Sequence, residues 1–475
     1  MRIKQRPEDF DVSESYRFDP EPNGRYRVYL MDKQKLGTLD AIERLRVKFK
    51  LKRDQFSVCG LKDKQGRTKQ LIAVDGAEIG MQAPDLRLKF VGRTGAPLGS
   101  HNITSNRFSV TVRDLTAEDL DELPGSVAEV NRVGVVNYFD SQRFGHLKHG
   151  QGLLARELIA GRFERALQGF LATPSELDQS DDAKVKAFWR DRWGEWDAHP
   201  PWKDAAARYR PIIQHLKQNP ADFAGAFMKI DSRTRAMVLF TYQSFLWNEG
   251  VRRLLMGLVP REMIVALPYQ AGTLLFPRDL PPDVQRRLRK LTFPLLGPDS
   301  VITDPDVKTA VDWVLGREKL AVSDLRVPGV PQLFFKHEER LALVYPGKLV
   351  IGKQLPDELN PDRTRVNVAF TLPPGAYATL VVKRLFWFDL DHHRRDRLEH
   401  ERVLKARAIR EASIAERAAN PPPGFRAKQA AKKQRKLEQK QMAQAGAERS
   451  QAAAKRPQAR GKHPKARVKP RAKKG

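Results

Sequence analysis

A charged segment between two short apolar runs, Gly60 to Gln70, is the feature that most restricts how this chain folds. Phe56 to Cys59 precedes it and Leu71 to Val74 follows it, which predicts a strand, a tight turn and a return strand. Asp63 stands between two lysines, and neighbouring positive charges lower the pKa of a carboxyl, so we expect Asp63 to be ionised at neutral pH. The same cations suit a polyanionic substrate, although a solvated hairpin tip would have the same sequence.

The charge of the chain points to a polyanionic partner, most simply nucleic acid. The 475 residues carry a formal charge of +29, and the sequence pI is about 10.2. The segment Glu401 to Gly475 holds 23 Lys and Arg against 5 Glu, and so +18 of that charge. We call this segment the basic tail. We expect it to be partly helical, then disordered from Lys455, and to add non-specific RNA contact.

Other features of the composition indicate the compartment. Cys59 is the single cysteine, so the chain has no internal disulfide and suits a reducing compartment. The first twenty residues lack an apolar signal core, and no apolar run approaches the roughly 18 residues of a membrane span. We therefore expect a soluble, cytoplasmic protein, a monomer without membrane contact.

The pattern along the chain predicts strands, then a helical and irregular middle, then strands again. Apolar and polar residues alternate from Phe10, from Phe108 and from Val366. Thr38 is a plausible N-cap for a helix with Ile42, Leu45 and Phe49 on one face, and Thr116 begins a capping signal. Thr234 to Leu255 predicts a buried helix. Val259 to Pro331 is Pro-rich and predicts only short strands.

Aromatic, amide and guanidinium groups are dense between Asn137 and Gly145, directly after an apolar run. Such groups at the end of a strand suit base stacking and phosphate contact, although most aromatic residues lie in a core. A turn at Pro373 to Gly375 presents a second aromatic side chain, Tyr377, next to small residues.

Four segments, in order, resemble the TruD family of tRNA pseudouridine synthases. The resemblance covers residues 1 to 150 and 335 to 385 well, and the middle mainly through Tyr242-Gln243-Ser244. The four segments are Lys4 with Pro7-Glu8-Asp9-Phe10 and Glu14; Gly60-Leu61-Lys62-Asp63-Lys64 with Thr68 and Gln70; Asn137-Tyr138-Phe139 with Gln142-Arg143-Phe144-Gly145; and Pro374-Gly375 with Tyr377-Ala378-Thr379.

The resemblance implies an α+β fold in which a catalytic domain with a mixed, largely antiparallel sheet is interrupted by an inserted, TruD-type α/β domain. On this division the catalytic domain comprises residues 1–153 and 334–397, and the inserted domain residues 154–333. The C-terminal region, residues 398–475, contains the basic tail.

The resemblance also implies an activity, the isomerisation of uridine to pseudouridine in tRNA, at position 13 in bacterial relatives. Asp63 is the candidate catalytic carboxylate, acting as nucleophile or as the base that removes a sugar proton. Lys4 would lie beside Asp63 and keep it charged. Phe10, Asn137, Phe139 and Tyr377 are the candidate substrate-binding residues. The reaction needs no cofactor, and we expect none and no metal.

The sequence departs from the family pattern at several positions. Asp140 and Ser105 stand where glycine is usual, which matters if either position needs a positive φ. Asp140 also adds a negative charge near the presumed site. Lys383-Arg384 replaces an Arg-Glu pair, so we expect altered phosphate contact there.

Two other functions fit part of the sequence. A non-catalytic RNA-binding or ribosome-associated protein would share the charge and the tail, with Asp63 only a turn residue. An RNA uridine methyltransferase would need a cofactor site and usually a cysteine nucleophile, whereas we expect Cys59 to be a small buried residue.

Overall fold

The structure, a computed structural model, describes residues 1–62, 64–175, 178, 180–387 and 434. The strands are β1 (Phe10–Tyr16), β2 (Tyr26–Gln34), β3 (Phe56–Val58), β4 (Arg67–Asp75), β5 (Leu86–Thr94), β6 (Ile103–Leu115), β7 (Val135–Val136), β8 (Ile264–Tyr269), β9 (Gly272–Pro277), β10 (Thr292–Leu295), β11 (Glu338–Leu341), β12 (Leu343–Val344), β13 (Gly347–Ile351), β14 (Leu355–Pro356) and β15 (Thr364–Leu372). The helices are α1 (Thr38–Phe49), α2 (Ala117–Val133), α3 (Leu154–Ile159), α4 (Phe163–Leu171), α5 (Ser180–Asp191), α6 (Lys203–Ala207), α7 (Arg210–Gln218), α8 (Phe223–Met228), α9 (Ser232–Leu258), α10 (Pro282–Leu288), α11 (Pro305–Glu318) and α12 (Ala378–Phe386).

A nine-stranded sheet combines strands from both ends of this described chain, in the order β13-β15-β6-β1-β4-β2-β5, with β14 beside β15 and β3 beside β4. β1 and β4 run parallel, and the other neighbours in this described sheet run antiparallel. The predicted α+β class with a mixed, largely antiparallel sheet is confirmed.

The predicted alternation of β1, β6 and β15 places aromatic side chains on one face of the sheet. Phe10 is paired with Val110 of β6, and Val110 with Val368 of β15. Residues directly opposite each other share a face, and so do residues two apart on one strand, such as Phe108 and Val110. Phe10, Phe108 and Phe370 therefore lie on the same face of three neighbouring strands. The Phe10 and Phe108 ring centres lie 6.2 Å apart, edge to face, and those of Phe108 and Phe370 5.5 Å apart, stacked.

Two predicted helices form as expected, one with a different start. Thr116 caps α2, because its hydroxyl accepts a hydrogen bond from the Asp119 amide at 3.2 Å. In α1, Ile42 and Leu45 are fully buried, as predicted. Thr38 is not the N-cap: it is the first helical residue, and Gly37 occupies the cap position without a side-chain bond.

The middle of the chain is helical, and α9 confirms the predicted buried helix from Thr234 to Leu255. The prediction for Val259 to Pro331 is incomplete, since the segment contains α10 and α11 as well as short strands. Both helices carry proline in their first turn, where the missing amide hydrogen costs nothing. The boundaries proposed for the inserted domain stay a prediction, and the basic tail lies outside the described residues apart from Gln434.

A buried arginine, Arg113, joins β6 to two distant segments. It lies 2.9 Å from a carboxylate oxygen of Asp9 and 2.9 Å from one of Asp357. Although burial alone would raise the pKa of the Asp357 carboxyl, hydrogen bonds from Asn360, from backbone amides and from Arg113 hold it at about 2. Arg113 also lowers the pKa of Glu358 to about 2. The cluster fastens the segment before β1 and the turn after β14 to the sheet.

Replacing Arg113 by methionine should destabilise the protein by about 3–5 kcal/mol at pH 7, because two buried carboxylates would lose their cation. The stability that Asp357 contributes is present above its unfolded pKa near 3.8 and lost as the pH falls through about 2. Urea unfolding should therefore show a loss of stability between about pH 4 and 2 that is smaller in Arg113→Met.

The matched control is Arg107→Met on the same strand, where the side chain is exposed and should cost no more than about 0.5 kcal/mol. Equal stability of the Arg113 and Arg107 variants would contradict the role given to the cluster.

None of the described helices combines the length and the apolar character that crossing a membrane requires.

Candidate active site

The loop from Gly60 to Gly66, between β3 and β4, is held by hydrogen bonds to the polar side chains of Thr38 and Gln70. The Thr38 hydroxyl accepts a hydrogen bond from the Lys62 amide at 2.9 Å and lies 2.8 Å from Gln70 Oε1. The Gln70 amide in turn donates to the Gly60 carbonyl at 2.8 Å. Thr38 therefore serves tertiary structure and not helix capping.

The charge of Lys62 is compensated inside the protein, although the sequence places it among the cations expected to suit a polyanionic substrate. Its ammonium group pairs with Glu14, whose side chain is fully buried. The second oxygen of Glu14 accepts from the Leu71 amide at 3.2 Å. Lys64, by contrast, is exposed.

Asp63, the predicted catalytic carboxylate, lies outside the described residues. Its neighbours in the chain are the anchored Lys62 and the exposed Lys64.

Lys4, Phe10 and the end of the charged loop come together. The Lys4 backbone is left-handed, with φ of 57°, and its ammonium nitrogen lies 4.2 Å from the centre of the Phe10 ring. Gly66 has φ of +146°, and a Cβ there would lie 2.6 Å from the Phe10 carbonyl oxygen. Only glycine permits that approach, so the loop closes against Phe10.

Lys33 is a buried cation of this region that sequence reasoning missed. It is 1% exposed, stands opposite Thr68 on β4 and donates to the Leu36 carbonyl at 2.6 Å. Thr68 Oγ1 is buried and makes no hydrogen bond to the described residues. Lysine is rarely buried, and nothing in the local sequence marks Lys33 as an exception.

A second group of predicted site residues, Asn137, Phe139 and Tyr377, also lies together. Asn248 accepts from the Phe139 amide at 2.9 Å and donates to its carbonyl at 2.8 Å. The Phe139 and Tyr377 ring centres are 6.2 Å apart, edge to face. Phe139 is only 4% exposed, whereas Tyr377 is half-buried.

Arg340 on β11 completes this group, and sequence reasoning did not single it out. Its guanidinium carbon lies 4.3 Å from the centre of the Phe139 ring. Nη2 of Arg340 donates to Asn137 Oδ1 at 2.6 Å, and Nε donates to the Asn137 carbonyl at 2.9 Å. Burial lowers the pKa of Arg340 to about 10. The Asn137 side-chain amide also donates to the Leu341 carbonyl, so it orients β11 and Arg340.

Cys59 is buried, as expected, and is unsuited to nucleophilic chemistry. Burial raises the pKa of its thiol to about 12, so the thiolate is scarce at neutral pH. This argues against the cysteine-dependent alternative.

Comparison with known proteins decides the family. The family model described as tRNA pseudouridine synthase D (TruD) matches residues 1–385. The chain belongs to the TruD family.

Its similarity to TruD-family relatives extends over most of each chain. A probable tRNA pseudouridine synthase D 2 from Methanocaldococcus jannaschii is 31% identical, over 81% of this chain and 92% of its own length. A tRNA pseudouridine synthase D from Aquifex aeolicus is 28% identical, over 82% of this chain and 99% of its own length. The fold resembles the crystal structure of a putative tRNA pseudouridine synthase D from Methanosarcina mazei, with a TM-score of 0.60, 22% identity and coverage of 82% and 94%.

Two of the departures from the TruD pattern are paired with each other. A carboxylate oxygen of Asp140 lies 2.8 Å from the Lys383 ammonium nitrogen, and the Thr379 hydroxyl donates to its other oxygen. Asp140 and Lys383 are both buried, so the charge of Asp140 is compensated inside the protein. The Asp140 backbone is outside the left-handed region, so glycine is not required there.

The change in phosphate contact expected at Lys383-Arg384 stays a prediction, and both side chains are buried in this structure. Arg384 is fully buried and lies 2.8 Å from Glu129. Ser105 lies in β6 opposite Ser15, in extended backbone that needs no glycine.

Lys383→Met should destabilise this TruD-family protein by about 3–5 kcal/mol, because it leaves Asp140 buried without its cation. The double variant Asp140→Asn/Lys383→Met should recover at least half of the loss, since no charge then remains. Urea unfolding at pH 7 measures both. A single variant as stable as the wild type would show that the pair is not coupled.

Proposed function

We propose that this chain isomerises uridine to pseudouridine in tRNA, at position 13, without a cofactor. The observation that carries the proposal is the TruD-family match over residues 1–385, which contains all the candidate site residues. The loop that bears Asp63 is held before that residue by the bonds at Gly60 and Lys62, and after it by the Lys35 amide, which donates to the Gly66 carbonyl. A catalytic group needs such a fixed position.

The reaction defines what the site must do. The bond from ribose C1′ to uracil N1 breaks, the base turns, and C1′ bonds to C5. The proton lost from C5 and the one gained at N1 leave the mass unchanged. Asp63 supplies the carboxylate, as nucleophile at the sugar or as the base that removes a sugar proton. The Lys4 ammonium group lies over Phe10, against which Gly66 of the same loop closes, and a cation at this place supports a charged carboxylate.

The target base must leave its stack to be reached, and aromatic contact offsets much of that cost, at about 1–3 kcal/mol per base. In this proposal Phe10, Phe139 and Tyr377 surround the flipped uracil, and Asn137 hydrogen-bonds at the site. The grouping of Asn137, Phe139 and Tyr377 supports it. Tyr377 is the more accessible of the last two rings.

Asp63→Asn should abolish pseudouridine formation while RNA affinity stays nearly unchanged, because the amide keeps the shape but cannot act as nucleophile or base. The measurement is nucleotide-resolution mapping of pseudouridine in unmodified tRNA transcripts, without added cofactor.

The matched control is Asp54→Asn, an exposed carboxylate just before β3, which should retain wild-type turnover. Retention of roughly a tenth of the activity in Asp63→Asn would remove Asp63 from the catalytic role. Tight RNA binding by the wild type without pseudouridine at any position would favour a non-catalytic RNA-binding protein.

The basic tail should add affinity and not chemistry. Deleting residues 401–475 should weaken tRNA binding and flatten its dependence on salt, by about 0.7–0.9 in slope for each lost phosphate contact. Turnover at saturating RNA should persist, since the family match ends at residue 385. As a control, a tail of equal length with Gln in place of Lys and Arg separates the effect of charge on tRNA binding from the effect of length. Loss of all turnover in the deletion variant would contradict the proposal.

A further inference from the structure

Two guanidinium groups share the ring of Phe139. The guanidinium carbon of Arg340 lies 4.3 Å from the ring centre and that of Arg143 lies 5.6 Å from it. Like charges so close repel one another, and after burial the charge of Arg143 is a further reason why the pKa of Arg340 is lowered.

Their hydrogen bonds go to neutral acceptors. Arg340 donates to the Asn137 amide and backbone oxygens and, at 3.1 Å, to the Gly375 carbonyl. Arg143 donates through Nε to the Tyr377 hydroxyl at 3.2 Å. Among the described residues, no carboxylate lies within ion-pair distance of either group. Nη1 of Arg340 and both Nη nitrogens of Arg143 likewise bond to none of them.

Two buried guanidiniums elsewhere in the protein are paired with carboxylates. Arg113 contacts Asp9 and Asp357, and Arg384 contacts Glu129. Placing two cations in a partly dry site without a carboxylate costs free energy, which an incoming anion would offset. The donors left over on Arg340 and Arg143 suit the chemistry of a phosphate, which is anionic and accepts several hydrogen bonds at once.

We propose that Arg340 and Arg143 together bind one phosphate of the RNA, the phosphate 5′ or 3′ of the target uridine. The inference rests on the proposed function and specifies how the same site holds its substrate. A uracil carbonyl is neutral and would leave both charges uncompensated, so the phosphate is the better ligand. Asn137 acts through Arg340 as a positioning residue, since its side-chain oxygen accepts from Nη2.

The experiment uses full-length protein and tRNA transcripts in which a methylphosphonate replaces the phosphate on the 5′ or the 3′ side of the target uridine. This substitution removes the negative charge and keeps the shape. For the wild type, one of the two RNAs should bind about tenfold more weakly than the unmodified transcript at fixed salt. Arg340→Gln and Arg143→Gln should lose this discrimination, because the cation that senses the charge is gone.

The control is Arg289→Gln, since Arg289 also lies over an aromatic ring, 4.4 Å from the centre of Tyr345, and should keep the wild-type discrimination. Arg340→Lys should retain part of it. Thermal unfolding shows whether each variant is folded. If Arg340→Gln does not fold, Arg143→Gln decides, since the Arg143 side chain makes a single hydrogen bond to the residues that the structure describes.

Two results would overturn the inference: equal binding of all three RNAs by the wild type, or wild-type discrimination in both glutamine variants. Pseudouridine formation by the wild type on the unmodified transcript is measured in parallel. Its absence refutes the proposed function, whereas its presence without phosphate discrimination refutes the guanidinium site alone.

Discussion

The pairing of β15 with β6 is the constraint on which the rest of the structure depends. It joins segments about 250 residues apart in sequence, from Thr364 opposite Leu115 to Leu372 opposite Asn106. A slip of one residue would turn every side chain of β15 to the other face, and Phe370 would leave Phe108. The register therefore determines where β15 ends, and with it where the Gly375 turn and Tyr377 lie.

Charged groups hold both ends of this arrangement. Arg113 and its carboxylates fasten one end of β6, and Glu14 with Lys62 fastens the charged loop above β4. Each pair is buried, so breaking one costs more than an exposed salt bridge would. Among the described residues of the aromatic group, Arg340 and Arg143 differ from these pairs because neither has a carboxylate partner.

The parts of the fold that could be predicted are those with a local signal. Alternation marks β1, β6 and β15 because each has one buried face, and the Thr116 cap depends on residues three apart. Helix propensity alone counts proline as a helix breaker, and so it misses α10 and α11. In both helices a proline occupies the first turn, where it is tolerated.

The site was predictable only where a motif carried it. Phe10, Asn137, Phe139 and Tyr377 belong to motifs, and the structure groups Phe10 with Lys4 and the other three with each other. Thr38 has the residue type of a cap, but its hydroxyl is taken by Lys62 and Gln70. From the sequence alone, Lys33 and Arg340 are expected to be surface cations. Whether a long charged side chain is buried depends on residues far away in the sequence, which the local pattern does not show.

The two rings of the second group differ in what they can offer a base. Arg340 covers Phe139, and uncovering that ring would cost the hydrogen bonds to Asn137 and Gly375. Tyr377 is half-buried and held at its hydroxyl by one 3.2 Å bond from Arg143. Of the two rings, Tyr377 therefore offers the base the more accessible face, while Phe139 also orients the guanidiniums. Stacking and phosphate binding would then be coupled through Arg143, which lies over the Phe139 ring and donates to the Tyr377 hydroxyl.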